Sequence, residues 1–380
     1  MLAGALSLAL LVGLLAADPT PGEAKEEGPW GELESIPIVI GPSLEYIPSL
    51  MPDRRGNRWF FPKTSIKDLN KFIGTLRLSE QERTRLLAVA EPASDIQGVV
   101  VTPDPKIVAG LSPTARRAIY ARLALYPGNF DQVNASHFPA ELADAWLSPL
   151  PEPARSAIRR LMYPSGGFLL FADLPLVLTE IKNRDQQGRV IQVLAKQQTY
   201  LLKLRVRKGS DINRLAEYWG RGGRRKDVRP LLESLATTDE GQTIDVIHLL
   251  PPFARRHLYT FPLPSIKTAA TGYDCHYASF NFFNDLTEEK FISPSEVVSI
   301  LGEKYHPIYA NPELGDLVIY VTDNNEIIHS AVYVAADMLF TKYGNSPAQP
   351  WMLMTFDEVK DFYPVNGELK VRFFRPNHLD

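Results

Sequence analysis

Cys275 is the only cysteine among the 380 residues, and it stands in Tyr273-Asp274-Cys275-His276-Tyr277. Asp274 suits the capping position of a helix N-terminus, so the thiol falls in a first helical turn, where the partial positive charge favours thiolate. The apolar residues Ala278, Phe282 and Phe283 continue that helix. A lone thiol can equally be structural, since free cysteine is among the most buried residue types. Histidine placement separates the two. In His329-Ser330-Ala331-Val332-Tyr333-Val334, strand alternation puts His329, Ala331 and Tyr333 on one face. An imidazole fixed on a strand and facing a thiol at a helix start is what nucleophilic catalysis by cysteine needs. The other histidines are poorer partners: His137 and His306 lie in loops near prolines, His248 and His257 in the helical region, His378 in the terminal tail. His276, adjacent to the thiol on one helix, is expected to point away from it.

The elements that must hold this pair follow in order. Leu317–Thr322 and Ile327–Val334 read as strands joined through Asp323-Asn324-Asn325, a hairpin-turn composition. Met338–Thr341 reads as a third strand and Leu369–Arg375 as a late one, with a short helix over Thr355–Tyr363 capped by Thr355. A helix followed by an antiparallel sheet is an α+β arrangement.

An Asp-Cys helix opening, then Gly315-Asp316-Leu317-Val318, then a hairpin to His329-Ser-Ala-Val-Tyr, resembles the NlpC family of papain-fold cysteine peptidases. The family's pattern is an Asp-Cys-Ser-Gly helix, a Gly-Asp-Leu-Val strand and a His-Val-Gly-Ile-Tyr strand. The resemblance covers residues 266–380 and implies a papain-like fold there. It also implies hydrolysis of an amide by a thiolate, in bacterial relatives most often a peptide bond in the stem of cell-wall peptidoglycan. Carried over, Cys275 is the nucleophile and His329 the general base. Tyr273 is a candidate for holding the developing oxyanion beside the backbone N–H of Cys275. The sequence departs from the family at two places. His276-Tyr277 stands where the family has Ser-Gly, and the polar residue that orients the histidine is open among Thr341, Lys342 and Asn345. A second reading is a catalytically silent papain-like module that binds cell-wall fragments or a protein partner. A third is an acyltransferase using the same thioester.

Upstream, residues 2–17 are uncharged and apolar, short for a membrane span of about 20 residues but suited to a secretory signal. The expectation is an exported protein, periplasmic or extracellular, touching a membrane only if residues 2–17 are retained as an anchor. Residues 18–62 hold eight prolines and read as a linker that is mobile at its start. Residues 63–265 read as an α-helical domain, with helices over Ser65–Leu76, Ser79–Ala90, Pro113–Leu125, Ala140–Trp146 and Pro153–Met162. Within it Leu111-Ser-Pro-Thr-Ala-Arg-Arg recurs as Leu250-Pro-Pro-Phe-Ala-Arg-Arg, a repeated helix start with proline in the first turn. The chain is thus expected to be a mostly α N-terminal region followed by an α+β papain-like domain with an antiparallel sheet.

The basic segment 203–229, with Gly220-Arg-Gly-Gly-Arg-Arg inside it, could grip an anionic polymer or serve as a solvated loop. The overall balance of 41 Lys+Arg against 44 Asp+Glu argues against a general nucleic-acid binder. With 45% hydrophobic residues the chain is no disordered polymer, and one cysteine makes no disulfide scaffold. There is no HExxH, no paired cysteines and no histidine cluster at ligand spacing, so neither a metal nor another cofactor is expected.

Overall fold

Capping chemistry starts the helices of the first half where the sequence places it. Ile66–Thr75 and Glu80–Ala88 open on reciprocal capping boxes, Ser65 with Asp68 and Ser79 with Glu82. Pro113–Leu123 begins behind Ser112, whose hydroxyl accepts from the Ala115 N–H, and Glu152–Leu161 and Pro252–His257 begin behind Pro151 and Pro251. In the first copy of the repeat, Arg116 is buried and donates to the carbonyls of Val108, Leu111 and Arg160, so the device locks helices together. The computed structural model describes residues 24–50, 57–95, 97–262, 273–363 and 368–379. The apolar segment 2–17 lies outside the described residues.

Two expectations change. Region 63–265 is not simply α-helical. Trp59–Phe61, Gly98–Val101 and Ala90–Ala93 form one small antiparallel sheet; Ser136–Pro139, Phe168–Phe171 and Tyr163–Ser165 form another. Their short apolar runs carry no period that distinguishes strand from buried helix. The proline-rich segment is also more than a linker. Gly31–Ile40 pairs with the strand Gln197–Val206 from Glu32–Arg205 to Ile40–Gln197, inside a sheet whose outer strands are Ala24–Gly28 and Gln242–Asp245. Pro37, which has no N–H to donate, lies opposite Tyr200 in this pairing.

The division expected at 265 does not match the cores either. One core gathers buried side chains between Ile47 and Leu194; a second joins Leu33 and residues from Leu202 onward to those reaching Leu353. The Thr199 hydroxyl clamps the two parts of the second unit, donating to the Leu353 carbonyl and accepting from the Leu353 N–H at 2.9 Å each. Amphipathic periodicity tells which face of a helix is buried, not which core covers it.

The C-terminal sheet is antiparallel, in the order Tyr305–Ile308, Lys370–Pro376, Leu317–Val321, Ile327–Ala335, Met338–Lys342, Trp351–Thr355. This is the α+β arrangement expected, with two strands more than the pattern suggested. One face packs against the helix Cys275–Phe280: Val332, Val334 and Phe340 meet Tyr277, Ala278 and Phe280. The other packs against the helix Phe356–Phe362: Tyr320, Ala331, Tyr333 and Leu339 meet Val359 and Phe362. The thiol helix is shorter than expected. Asn281 ends it, its amide donating to the carbonyls of Tyr277 and Glu288 and its oxygen accepting from the Glu288 N–H.

The Gly315-Asp316 turn holds the sheet to the basic segment. Asp316 is fully buried and accepts from the Glu313 N–H and from Arg375 Nε and Nη2 at 3.0 and 2.7 Å, with Arg221 at 3.6 Å. Arg224 donates to the Trp219 and Leu249 carbonyls, Arg207 pairs with Glu32, Arg225 with Glu217 and Arg229 with Glu233. The basic loop is therefore bound into the protein through these residues. Gly315 adopts φ +93°, and a Cβ there would fall 2.2 Å from a Phe283 ring carbon. Gly315→Ala should lower stability by roughly 1–3 kcal/mol through backbone strain and overpacking. A urea midpoint equal to that of the wild type would contradict this close approach.

Candidate functional site

Cys275 is the first residue of its helix, capped by Asp274, whose carboxylate accepts from the Tyr277 N–H at 3.0 Å. It is 6% exposed. The N–H and hydroxyl of Ser330 lie against the thiol, and these together with the charge of Lys342 favour thiolate. Burial and the Asp274 carboxylate oppose them and prevail, pushing the thiol up to about 12. The expected thiolate is thus absent near neutral pH. A helix of six residues offers only a small dipole against that desolvation.

His329 is fully buried on the other face of the sheet. Its ring lies between Tyr320 and Tyr363, with centroids at 5.9 and 4.8 Å. Nε2 is 2.7 Å from Thr341 Oγ1, and Nδ1 is 2.8 Å from the Tyr363 hydroxyl. A ring nitrogen offers one in-plane hydrogen-bonding position, so both are taken. Burial, with the charge of His276 second, holds His329 down to about 3. The structure does not join Cys275 and His329 by a hydrogen bond. The alternation that groups His329 with Ala331 and Tyr333 holds, but it is the intervening Ser330 face that meets the thiol helix.

The remaining expected residues separate. Thr341 occupies the orienting position, bonded to the imidazole from the neighbouring strand. Asn345 is exposed beyond the strand end. Tyr273 stacks on Tyr277 with ring centroids 4.1 Å apart, which makes it part of the wall rather than a group aimed at the thiol.

Three further residues complete the site: His276, which the sequence reading set aside as pointing away, Lys342, which it offered only as an orienting residue, and Tyr363, to which it gave no role. His276 does not touch Cys275 directly, yet its Nδ1 is 2.9 Å from Ser330 Oγ. Burial lowers its pKa while the Asp274 charge pulls the other way. Lys342 is fully buried and donates from Nζ to the carbonyls of Gly344 and Ser346 at 3.0 Å each. Desolvation lowers it to about 7, against the charges of Asp274 and Cys275. A lysine two positions after Phe340 on an otherwise apolar strand face was a legible signal. Tyr363 follows the last helix and carried no such signal. It also lines a cleft of about 1070 Å³, walled by Phe72 and Arg122 from the first half and by Asp323, Ile328 and Tyr343 from the second. The same residue thus borders the cleft and bonds His329.

Among the described residues no group of three or more His, Cys, Asp or Glu side chains is placed to hold a metal ion, and no helix is long and apolar enough to cross a membrane. Comparison of the chain with protein families, characterised proteins and solved structures finds no match.

The buried imidazole has a pH signature. The unfolded chain takes up the His329 proton near pH 6.5, whereas the folded protein resists until about 3. Stability is therefore full above 6.5 and is lost progressively between 6.5 and 3, on the order of 5 kcal/mol from this group. His137, held down to about 4 by burial, acts in the same direction. Denaturant midpoints measured across that range should fall, and His329→Gln should flatten the slope. Thr341→Val, which leaves Nε2 unpaired, should cost about 1–3 kcal/mol at pH 7.

Proposed function

We propose that the chain is a thiol-dependent amide hydrolase with a papain-like C-terminal arrangement, acting on peptide amides of the cell-wall stem type through a thioester at Cys275. One observation carries this reading. The single thiol sits at a helix start against the central strands of an antiparallel sheet, with the Ser330 hydroxyl and the buried Lys342 beside it. That is an environment that can hold a thiolate once substrate displaces the cost of burial.

The chemistry runs in two halves. The sulfur attacks the amide carbonyl carbon, forming an S–C bond and a tetrahedral oxyanion beside the backbone N–H of Cys275. The C–N bond breaks, the amine leaves with a proton, and water then hydrolyses the thioester to an acid and the free thiol. The resemblance gives the part of base to His329. That residue can serve only after the Tyr363 hydroxyl releases Nδ1, because Thr341 already holds Nε2. The cleft bordered by Tyr363 is wide enough for an extended peptide and offers aromatic walls with charged rims. A cell-wall substrate goes with export directed by residues 2–17.

A specific observation favours a second reading, a silent binding module. The thiol is protonated and both nitrogens of His329 are engaged. The discriminating experiment incubates the full chain with peptidoglycan stem peptides and detects new amine termini by mass spectrometry. Wild type should cleave, and Cys275→Ala should lower turnover by at least about 10³-fold with an unchanged unfolding midpoint. Turnover that survives Cys275→Ala removes the nucleophile. Retention of the peptides without cleavage by wild type selects the binding module.

A further inference from the structure

We infer that the helix Phe356–Phe362 is an acid-released latch. His137 from the first core and His329 from the sheet are buried against one cluster of aromatic rings at the end of this helix, and protonation of the two imidazoles together frees it. The latch is a property of the fold alone. Its meaning for catalysis, the release of His329 from Tyr363, rests on the thiol-hydrolase reading.

The geometry at His137 carries the argument. This residue lies in the strand Ser136–Pro139 and is 3% exposed. Its Nδ1 is 2.9 Å from the Ala135 carbonyl, which can only accept, so the proton sits on Nδ1. Nε2 is then the lone-pair nitrogen, and it is buried without a hydrogen-bond partner among the described residues. The ring stacks on Phe362 with centroids 4.1 Å apart and planes 5° from parallel, and it meets Tyr343 edgewise at 5.2 Å. Tyr343 in turn touches Phe362 at 4.9 Å and Tyr363 at 5.1 Å, and the Tyr363 hydroxyl reaches Nδ1 of His329. One aromatic cluster thus covers both imidazoles. A proton on Nε2 of His137 finds no acceptor there, and one on His329 places a charge in a fully buried cage. The first half holds this end of the chain by long polar contacts besides the rings. Asp361 accepts from the Gly167 N–H at 3.3 Å, and Tyr343 donates to the Val133 carbonyl at 3.4 Å. Val133, Tyr343, Phe362 and Tyr363 also wall the cleft, so the joint that opens is the one the cleft enters.

No titratable group on the surrounding elements bonds the His137 ring. On the last helix Asp357 pairs with Lys360, Glu358 accepts from Tyr200 of the strand Gln197–Val206, and Asp361 is taken by Gly167. Asp144 on the helix Ala143–Leu147 pairs with Arg159. Burial keeps Tyr163 on the adjacent sheet strand, Tyr343 and Tyr363 protonated. At His329 the charge of His276 opposes a second positive charge. Burial holds His137 down to about 4 and His329 to about 3, against an ordinary 6.5. Both therefore favour the closed form fully above 6.5, and below it the open form takes up two protons that the closed form refuses. Each pH unit then favours opening by about tenfold per imidazole, and by about a hundredfold for the two together. Burial raises Glu358, which acts in the opposite direction.

Hydrogen exchange of the full-length protein, corrected for the intrinsic rate at each pH, gives the test. Amides of Phe356–Phe362 should be less protected than those of Ile327–Ala335 at every pH, as a local opening requires. Their opening constant should rise by about a hundredfold per unit between about pH 5.5 and 4.5, and by only about tenfold in His137→Phe, which keeps a stacked ring that takes no proton. Equal protection of helix and strand overturns the latch, because the helix then opens only when the whole sheet unfolds. So does a slope that His137→Phe leaves unchanged. If that variant fails to fold, imidazole resonances of the wild type decide. One shared midpoint for His137 and His329 supports the latch, and two separate midpoints overturn it. None of these readouts needs a substrate. A latch that opens in a protein cleaving no peptide stands while the hydrolase reading falls, and peptide cleavage with equal protection of helix and strand does the reverse.

Discussion

The twofold alternation of the strand Ile327–Ala335 is the constraint on which the site depends. Successive side chains leave a strand on opposite faces, and both faces of this one are covered, by the thiol helix on one side and the Phe356–Phe362 helix on the other. His329 and Ser330 are therefore sent into different environments. The imidazole enters a cage of Thr341, Tyr320 and Tyr363, and the hydroxyl enters the neighbourhood of Cys275 and His276. A slip of one residue in register would exchange them and, with them, every apolar contact the strand makes.

Burial then sets the protonation states. Cys275 and Tyr363 are kept protonated, His329 neutral, and Lys342 is brought to where its charge is easily lost. Desolvation is the largest cause in every case, and charge–charge effects only modify it. The thiol and the imidazole of His329 are therefore held in their neutral forms.

The frame that keeps the site dry is fixed by a second set of buried polar contacts. Asp316 ties the last strand through Arg375 and the basic loop through Arg221, while Thr199 ties the long strand of the second core to Leu353. Breaking one partner of such a buried ionic cluster leaves an uncompensated charge, so these contacts specify the packing more than they add stability. The Gly-Asp-Leu-Val motif is thereby given a structural task in this chain, separate from the chemistry.

Much was legible in the residues. The caps at Ser65, Ser79, Ser112 and Thr355 mark their helices because a cap is a local contact between residues three apart. The Asp323-Asn324-Asn325 turn and the alternation of His329, Ala331 and Tyr333 are local in the same sense. The sequence left the partner of His329 open among Thr341, Lys342 and Asn345, and the strand pairing selects Thr341. What the pattern could not supply was which face of the sheet the thiol helix would cover. Nor could it place the segment 31–40 beside residues 197–206, or bring Tyr363 to an imidazole thirty-four positions earlier. Periodicity determines which side chains stand together on an element, because that is set by backbone geometry alone. Which group of side chains meets which is decided by packing between elements distant in sequence. Here that packing set His329 against Thr341 and Tyr363, on the face of the sheet away from the thiol helix.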